Sequence, residues 1–190
     1  MITKERTLTI ADWEAMPHGD GNRYEIIEGE LFVSCSPGLT HQRVVSNLLI
    51  SFGIFLEKNR IGEVLTNAGV ILSKSSGVIP DIVVFLNEQS DTIITGDRLT
   101  GPPALVIEIV SPGYANSRRD RMDKLRLYSK HGVAEYWIVD PGNLTVEQYI
   151  SRSSSLKLNQ ILQREEERLS SAAIPNFSCL LSQVFKRIGK

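Results

Sequence analysis

At 190 residues the chain is long enough for one domain with a substantial core and short for two. Its 42% apolar and 23% charged residues and its formal net charge of −1 are those of a soluble globular protein, and they exclude a globally basic nucleic-acid binder. Cys35 and Cys179 form neither a CxxC pair nor a disulfide framework and read as reduced, buried thiols. The N-terminus lacks the apolar core of a signal peptide, and no apolar run approaches the ~20 residues that cross a bilayer, so no membrane association and a cytoplasmic location are expected.

Thr9 to Met16 reads as a short helix with Thr9 as its cap and acids in its first turn. "RYEIIEGELFVS" alternates about Glu28-Gly29 as a hairpin does, and Pro37-Gly38 ends it. Thr40 is placed to cap a long helix from His41 to Arg60, whose apolar residues, Val44, Val45, Leu48, Leu49, Phe52, Phe55 and Leu56, form one wide face. Gly62 is expected to close it. Short strands follow at "EVLTN", "GVILS" and "VIPDIVVFL", then a polar loop over residues 87–102 and a buried strand in "PPALVIEIVSP". After Pro112-Gly113 a second helix is expected from about Ser117 to His131, with Gly132 at its C-terminal end. "AEYWIVD" is a further buried strand with Trp137 in the core, stopped by Pro141-Gly142. Weaker strands lie at "LTVEQYI" and "SLKLNQIL", and residues 178–188 read as a terminal helix. The order implies an α/β domain with a mixed central sheet and an N-terminal hairpin.

Two acids interrupt apolar strands. Glu108 lies among Leu105, Val106, Ile107, Ile109 and Val110; Asp81 heads "DIVVFL", with Pro80 fixing the entry. A buried carboxylate is costly unless paired, hydrogen-bonded or bound to a metal. If the strands are neighbours, the two acids converge, repel and raise each other's pKa, and a divalent cation relieves that. Oxygen ligands suit Mg²⁺. Spacing alone leaves open two unrelated acids, one capping a turn and one salt-bridged. Asp120, Lys124 and Tyr128 recur every four residues on one face of the second helix. That lysine could stabilise developing negative charge or help deprotonate water near a metal-bound phosphate; the alternative is an ordinary Asp–Lys surface pair. Charge is uneven: residues 1–40 carry three basic and seven acidic residues, whereas residues 117–131 carry six basic and two acidic ones.

Taken together, "IPD" and its strand, "VIEIVSP", "RRDRMDKLRLYSKHGVAEYWIVDP" and the front end "RYEIIEGELFVSCSPGLTHQ" resemble the Uma2 family, over about residues 7–150. That family belongs to the PD-(D/E)XK superfamily, so the resemblance implies a restriction-endonuclease-like fold, Mg²⁺ or Mn²⁺ as cofactor and DNA as partner. It implies that Asp81 and Glu108 hold the metal, with the Ile109 carbonyl completing the shell. The lysine expected two residues after the acid is absent, since Val110 stands there; Lys124, with Asp120 one turn before it, is the migrated candidate. Glu25, in the hairpin flanking such a site, would hold a second metal or a water, or be an exposed strand acid. His41 is an accessory candidate that more often packs or caps, and Tyr128 reads as packing with its hydroxyl satisfied locally. Arg118, Arg119 and Arg121 would guide the nucleic-acid backbone, with the acidic front of the chain facing away from it. Three readings follow: a Mg²⁺-dependent DNA endonuclease, a nuclease-fold module that binds nucleic acid or protein without cutting, and a hydrolase of small phosphoesters. A two-fold homodimer, common among double-strand cutters, stays open.

Overall fold

The computed structural model describes residues 7–17, 19–111 and 118–188. Pro112, Gly113 and Ser117, read above as the end of a strand and the start of a helix, lie outside the described residues. Helix α1 (Ile10–Glu14) starts as expected: the Asp12 carboxylate accepts from both the backbone N–H and the hydroxyl of Thr9, each at 2.8 Å. Strands β1 (Asn22–Ile27) and β2 (Glu30–Cys35) form the hairpin. Its two turn residues, Glu28 and Gly29, have φ of 50° and 89°, the left-handed pair that a two-residue hairpin turn needs.

Helix α2 (Leu39–Asn59) buries Val44, Val45, Leu48, Phe52 and Leu56. Both of its expected ends differ. Gly38, extended, is the N-cap, and Thr40 lies inside the first turn. Arg60, at φ 55°, makes the left-handed C-terminal turn and donates its N–H to Leu56 O. Gly62 instead opens β3 (Gly62–Thr66), where a Cβ would lie 2.2 Å from the Phe85 carbonyl oxygen; the glycine is needed for close strand approach.

The other strands of the two large sheets are β4 (Val70–Ser73), β5 (Ser76–Val78), β6 (Ile82–Leu86), β7 (Ile94–Thr95), β8 (Arg98–Leu99), β9 (Leu105–Ile109), β10 (Glu135–Asp140), β11 (Thr145–Arg152) and β12 (Ser155–Leu162). The expected single central sheet is two mixed six-stranded sheets, ordered β2-β1-β5-β4-β8-β7 and β12-β11-β10-β9-β6-β3. The cause lies in "VIPDIVVFL", which is two strands rather than one. Val78 ends β5 in the first sheet and Ile82 begins β6 in the second. Pro80 has no N–H for either ladder and sits where the chain changes sheets. Asp81 is therefore at the junction. The loop over 87–102 is also more ordered than expected, holding α3 (Ser90–Ile93), β7 and β8.

In the second sheet β9 runs antiparallel to β6, with Ile82 opposite Ile107, and parallel to β10. The link from β9 to β10 contains a π-helical turn, Arg119–Lys124, that continues as α4 (Leu125–Lys130), with Gly132 at φ 82° after its end. At the C-terminus, residues 178–188 are not one helix. β14 (Ser178–Leu180) pairs with β13 (Arg168–Ser170), setting Leu169 opposite the buried Cys179, and α5 (Leu181–Val184) follows. Cys35, by contrast, is exposed.

One apolar cluster packs the α2 face against β6, β9 and β10, where Phe52 stacks on Phe177 at 3.8 Å beside the fully buried Trp137. Glu135 is buried beneath it and satisfied. Its carboxylate accepts from Trp137 Nε1 at 2.6 Å, Gln148 Nε2 at 2.5 Å, Ser171 Oγ at 2.5 Å and the Ala173 N–H at 2.9 Å, fixing the C-terminal segment to the sheet. Among the described residues no helix is long and apolar enough to cross a membrane.

Candidate active site

Antiparallel pairing of Ile82 with Ile107 continues, one step on, to Asp81 beside Glu108. The two strand acids thus meet where the sheets part, on a cavity of about 360 Å³ that also takes in His41, Arg119, Asp120 and Lys124. Asp81 is only 3% exposed, and each of its oxygens is engaged. Oδ1 accepts from Arg23 at 2.9 Å; Oδ2 accepts from the Ile109 N–H at 2.8 Å and lies 3.0 Å from His41 Nε2. Burial opposes its ionisation, but His41, Arg23 and the amide outweigh burial and hold its pKa down at about 2. An extended residue presents its N–H and C=O to the same edge of its strand, so the Ile109 carbonyl also faces Asp81.

Glu108 has the opposite balance. Its Oε1 accepts from Lys124 Nζ at 2.8 Å and from the Tyr128 hydroxyl at 2.9 Å. Burial is the stronger effect, Asp81, Asp120 and Glu25 add to it, and the pKa is pushed up to about 8 against the pull of Lys124. Lys124, 1% exposed, also contacts Glu25 Oε1 at 2.9 Å. Burial opposes its charge, but Glu108, Glu25 and Asp120 raise its pKa above the ordinary lysine value. These acids hold it in its charged form. Asp120 is buried, 3.8 Å from Arg119 Nε, and burial lifts its pKa to about 6.

Asp120, Lys124 and Tyr128 do share one face, even though the first two lie in a π-helical turn. Tyr128 does more than pack, since its hydroxyl bonds a strand acid. Glu25 is not an exposed strand acid: it is 1% exposed and binds Lys124 and the Ile79 N–H. His41 comes to the cavity from the first turn of α2, with its Nδ1 buried and unpartnered. Val110, two residues after Glu108, packs against a further apolar cluster that includes Val106, Tyr128, Tyr136 and Ile138, and the lysine beside the acid comes from the helix instead.

Not everything converges. Arg119 lines the cavity and Arg118 is exposed, but Arg121 is held away by Glu147 at 2.7 Å and Asp140 at 3.3 Å. The hairpin of the acidic front forms one wall of the cavity. Its Arg23 was not expected at the site. The signal was parity: Arg23 and Glu25 are two apart on β1 and so face the same side.

The donors suit a divalent cation. Four acidic side chains (Glu25, Asp81, Glu108, Asp120) gather beside three permanent cations (Arg23, Arg119, Lys124), and a divalent cation would draw Glu108 and Asp120, whose pKa values burial raises, toward their ionised forms. Both hydrogen bonds that Glu108 accepts from the described residues fall on Oε1, and none of them uses Oε2. Among those residues no three acidic, histidine or cysteine side chains group as a complete ligand set. Two carboxylates, a backbone carbonyl and waters are what Mg²⁺ accepts.

Residues 10–182 match the family model Uma2, described as "Putative restriction endonuclease". No curated protein matches the chain. Among solved structures, the chain is similar to one from Anabaena variabilis described as a "putative nuclease belonging to DUF820". The TM-score is 0.74 at 18% identity, over 94% of this chain and 97% of that one. The fold is accordingly the restriction-endonuclease-like α/β fold that the sequence resemblance implied. With the match spanning all the site residues above, the chain belongs to the Uma2 family.

Proposed function

We propose that the chain is a metal-dependent nuclease hydrolysing DNA phosphodiester bonds. The observation that carries this reading is Lys124, buried between Glu25 and Glu108 on the cavity where Asp81 and Glu108 meet. The "nuclease" description of the structural neighbour and the family's description agree with it. Asp81, Glu108 and the Ile109 carbonyl would hold Mg²⁺ or Mn²⁺. A cation so bound supplies Lewis-acid polarisation of the phosphoryl oxygen and a lowered pKa for attacking water. His41 and Arg23 keep Asp81 ionised and fixed. Lys124 contributes a positive charge that needs no reorganisation as charge develops on the phosphate. Arg119 at the cavity and exposed Arg118 meet backbone phosphates without reading sequence.

A second reading, a nuclease-fold module that binds without cutting, is favoured by one observation: the Lys124 charge is already matched by two carboxylates. Cleavage of supercoiled and single-stranded DNA with Mg²⁺ or Mn²⁺ separates the two. The expected result is cation-dependent nicking that Asp81→Ala, Glu108→Ala and Lys124→Ala each reduce by ~10²-fold or more. Nicking that survives Lys124→Ala removes the lysine from the reaction. DNA binding without cleavage moves the assignment to the binding module, and hydrolysis of small phosphoesters alone to a phosphoesterase.

A further inference from the structure

A second, larger cleft of about 590 Å³ adjoins the acid-lined cavity, and Arg23, Cys35, Ser36 and Pro37 line both. Arg23 stands at the boundary. One terminal nitrogen bonds Asp81 in the first cavity at 2.9 Å, and the other bonds Oδ1 of exposed Asn67 in the second at 2.5 Å. Whatever binds at Asp81 is therefore one guanidinium away from the cleft, about the reach from a phosphate to its own base.

Trp13 and Arg98 both line this cleft. Trp13 is fixed by a hydrogen bond from Nε1 to the Tyr24 carbonyl at 2.7 Å. Behind the ring the backbone approaches so closely that a Cβ on Gly77 would lie 2.5 Å from Cε3, and one on Gly69 3.3 Å from Cη2. The Arg98 guanidinium lies 5.6 Å over the ring. A guanidinium is planar and, held near an indole at this distance, is the kind of group on which nucleobases stack. Glu14, 3.7 Å from Arg98, and Asp97 also line the cleft. Two carboxylates disfavour a phosphate there but accept hydrogen bonds from a base amino group. The chemistry is that of a neutral, flat, donor-bearing ring.

Resting on the nuclease reading, we propose that this cleft receives the unpaired base attached to the scissile phosphate, with Arg98 over Trp13 as its stacking platform. A base can enter only when it is single-stranded or extruded, so the preferred substrate is single-stranded or locally unpaired nucleic acid, not intact duplex.

The test uses the unaltered protein and needs no cleavage. Two single-stranded oligonucleotides of equal length, one with every base intact and one abasic throughout, are titrated in Ca²⁺. Affinity is expected to drop about tenfold for the abasic strand, the size of one lost stacking contact. Fully paired duplex is expected to bind at least as weakly as that abasic strand. Arg98→Ala should abolish the difference between the two strands. As a check that does not rely on that variant, Trp13 fluorescence should change with the intact strand and not with the abasic one. Equal affinity for the intact and abasic strands overturns the base cleft and leaves the nuclease reading standing. Failure to bind any nucleic acid overturns both.

Discussion

Glu108 and Asp81 are neighbouring acids driven in opposite directions by their partners. In the unfolded chain Glu108 would lose its proton near 4.5, but in the fold its pKa is about 8. Between those values the folded chain holds a proton that the unfolded chain has released, so this group makes stability fall as pH rises through the window. Asp81 acts the other way: its contribution is present above 3.8 and is lost as pH falls toward about 2. Glu108→Gln fixes the neutral form at the same volume. Against wild type it should gain stability, on the order of a few kcal/mol, as urea denaturation is repeated from about pH 5 to about pH 8. A difference that does not vary with pH would mean that Lys124 keeps Glu108 ionised throughout.

At the scale of elements, two glycines separate close packing from helix propensity. Gly62→Ala puts a methyl group against the Phe85 carbonyl oxygen, a backbone atom that cannot swing aside. It should cost about 1–3 kcal/mol or more by parting β3 from β6. Gly53 sits inside α2 with nothing within 4 Å of an added Cβ, and Gly53→Ala should stabilise by about 0.5–1 kcal/mol. Both are read as shifts in urea midpoint at unchanged slope, and equal signs would refute the packing argument. Periodicity made the hairpin and the α2 face legible, and continuous apolar runs made β9 and β10 legible, because those two strands are buried on both faces. The division into two sheets was not legible. "VIPDIVVFL" is apolar on both sides of Pro80, and only the partners, β1 for β5 and β9 for β6, show that the chain changes sheets there. The four-residue spacing of Asp120, Lys124 and Tyr128 placed them together correctly. Arg118, Arg119 and Arg121 follow no such period, and three arginines in four residues cannot share one face.

For the whole molecule, the net charge of −1 leaves binding of a polyanion to local charge. The cations positioned for phosphates are few: Arg23 and Arg119 line the cavity, and Arg118 is exposed nearby. Arg121 is occupied by Asp140 and Glu147, and Arg126 and Lys130 are both paired with Glu28 of the hairpin turn. Each phosphate neutralised contributes roughly −0.7 to −0.9 to the slope of log affinity against log salt, so three contacts predict a slope of about −2 to −3. Arg118→Ala should make it shallower by about 1 with no change in preference among sequences. Binding measured across a salt series at fixed Ca²⁺ reads both quantities. A slope several units steeper would place the nucleic acid on a wider basic surface, with the Glu28 pairs opened to release Arg126 and Lys130. A slope near zero would mean that uncharged contacts in the adjoining cleft carry the binding and that the acids of the cavity cancel the cations beside them.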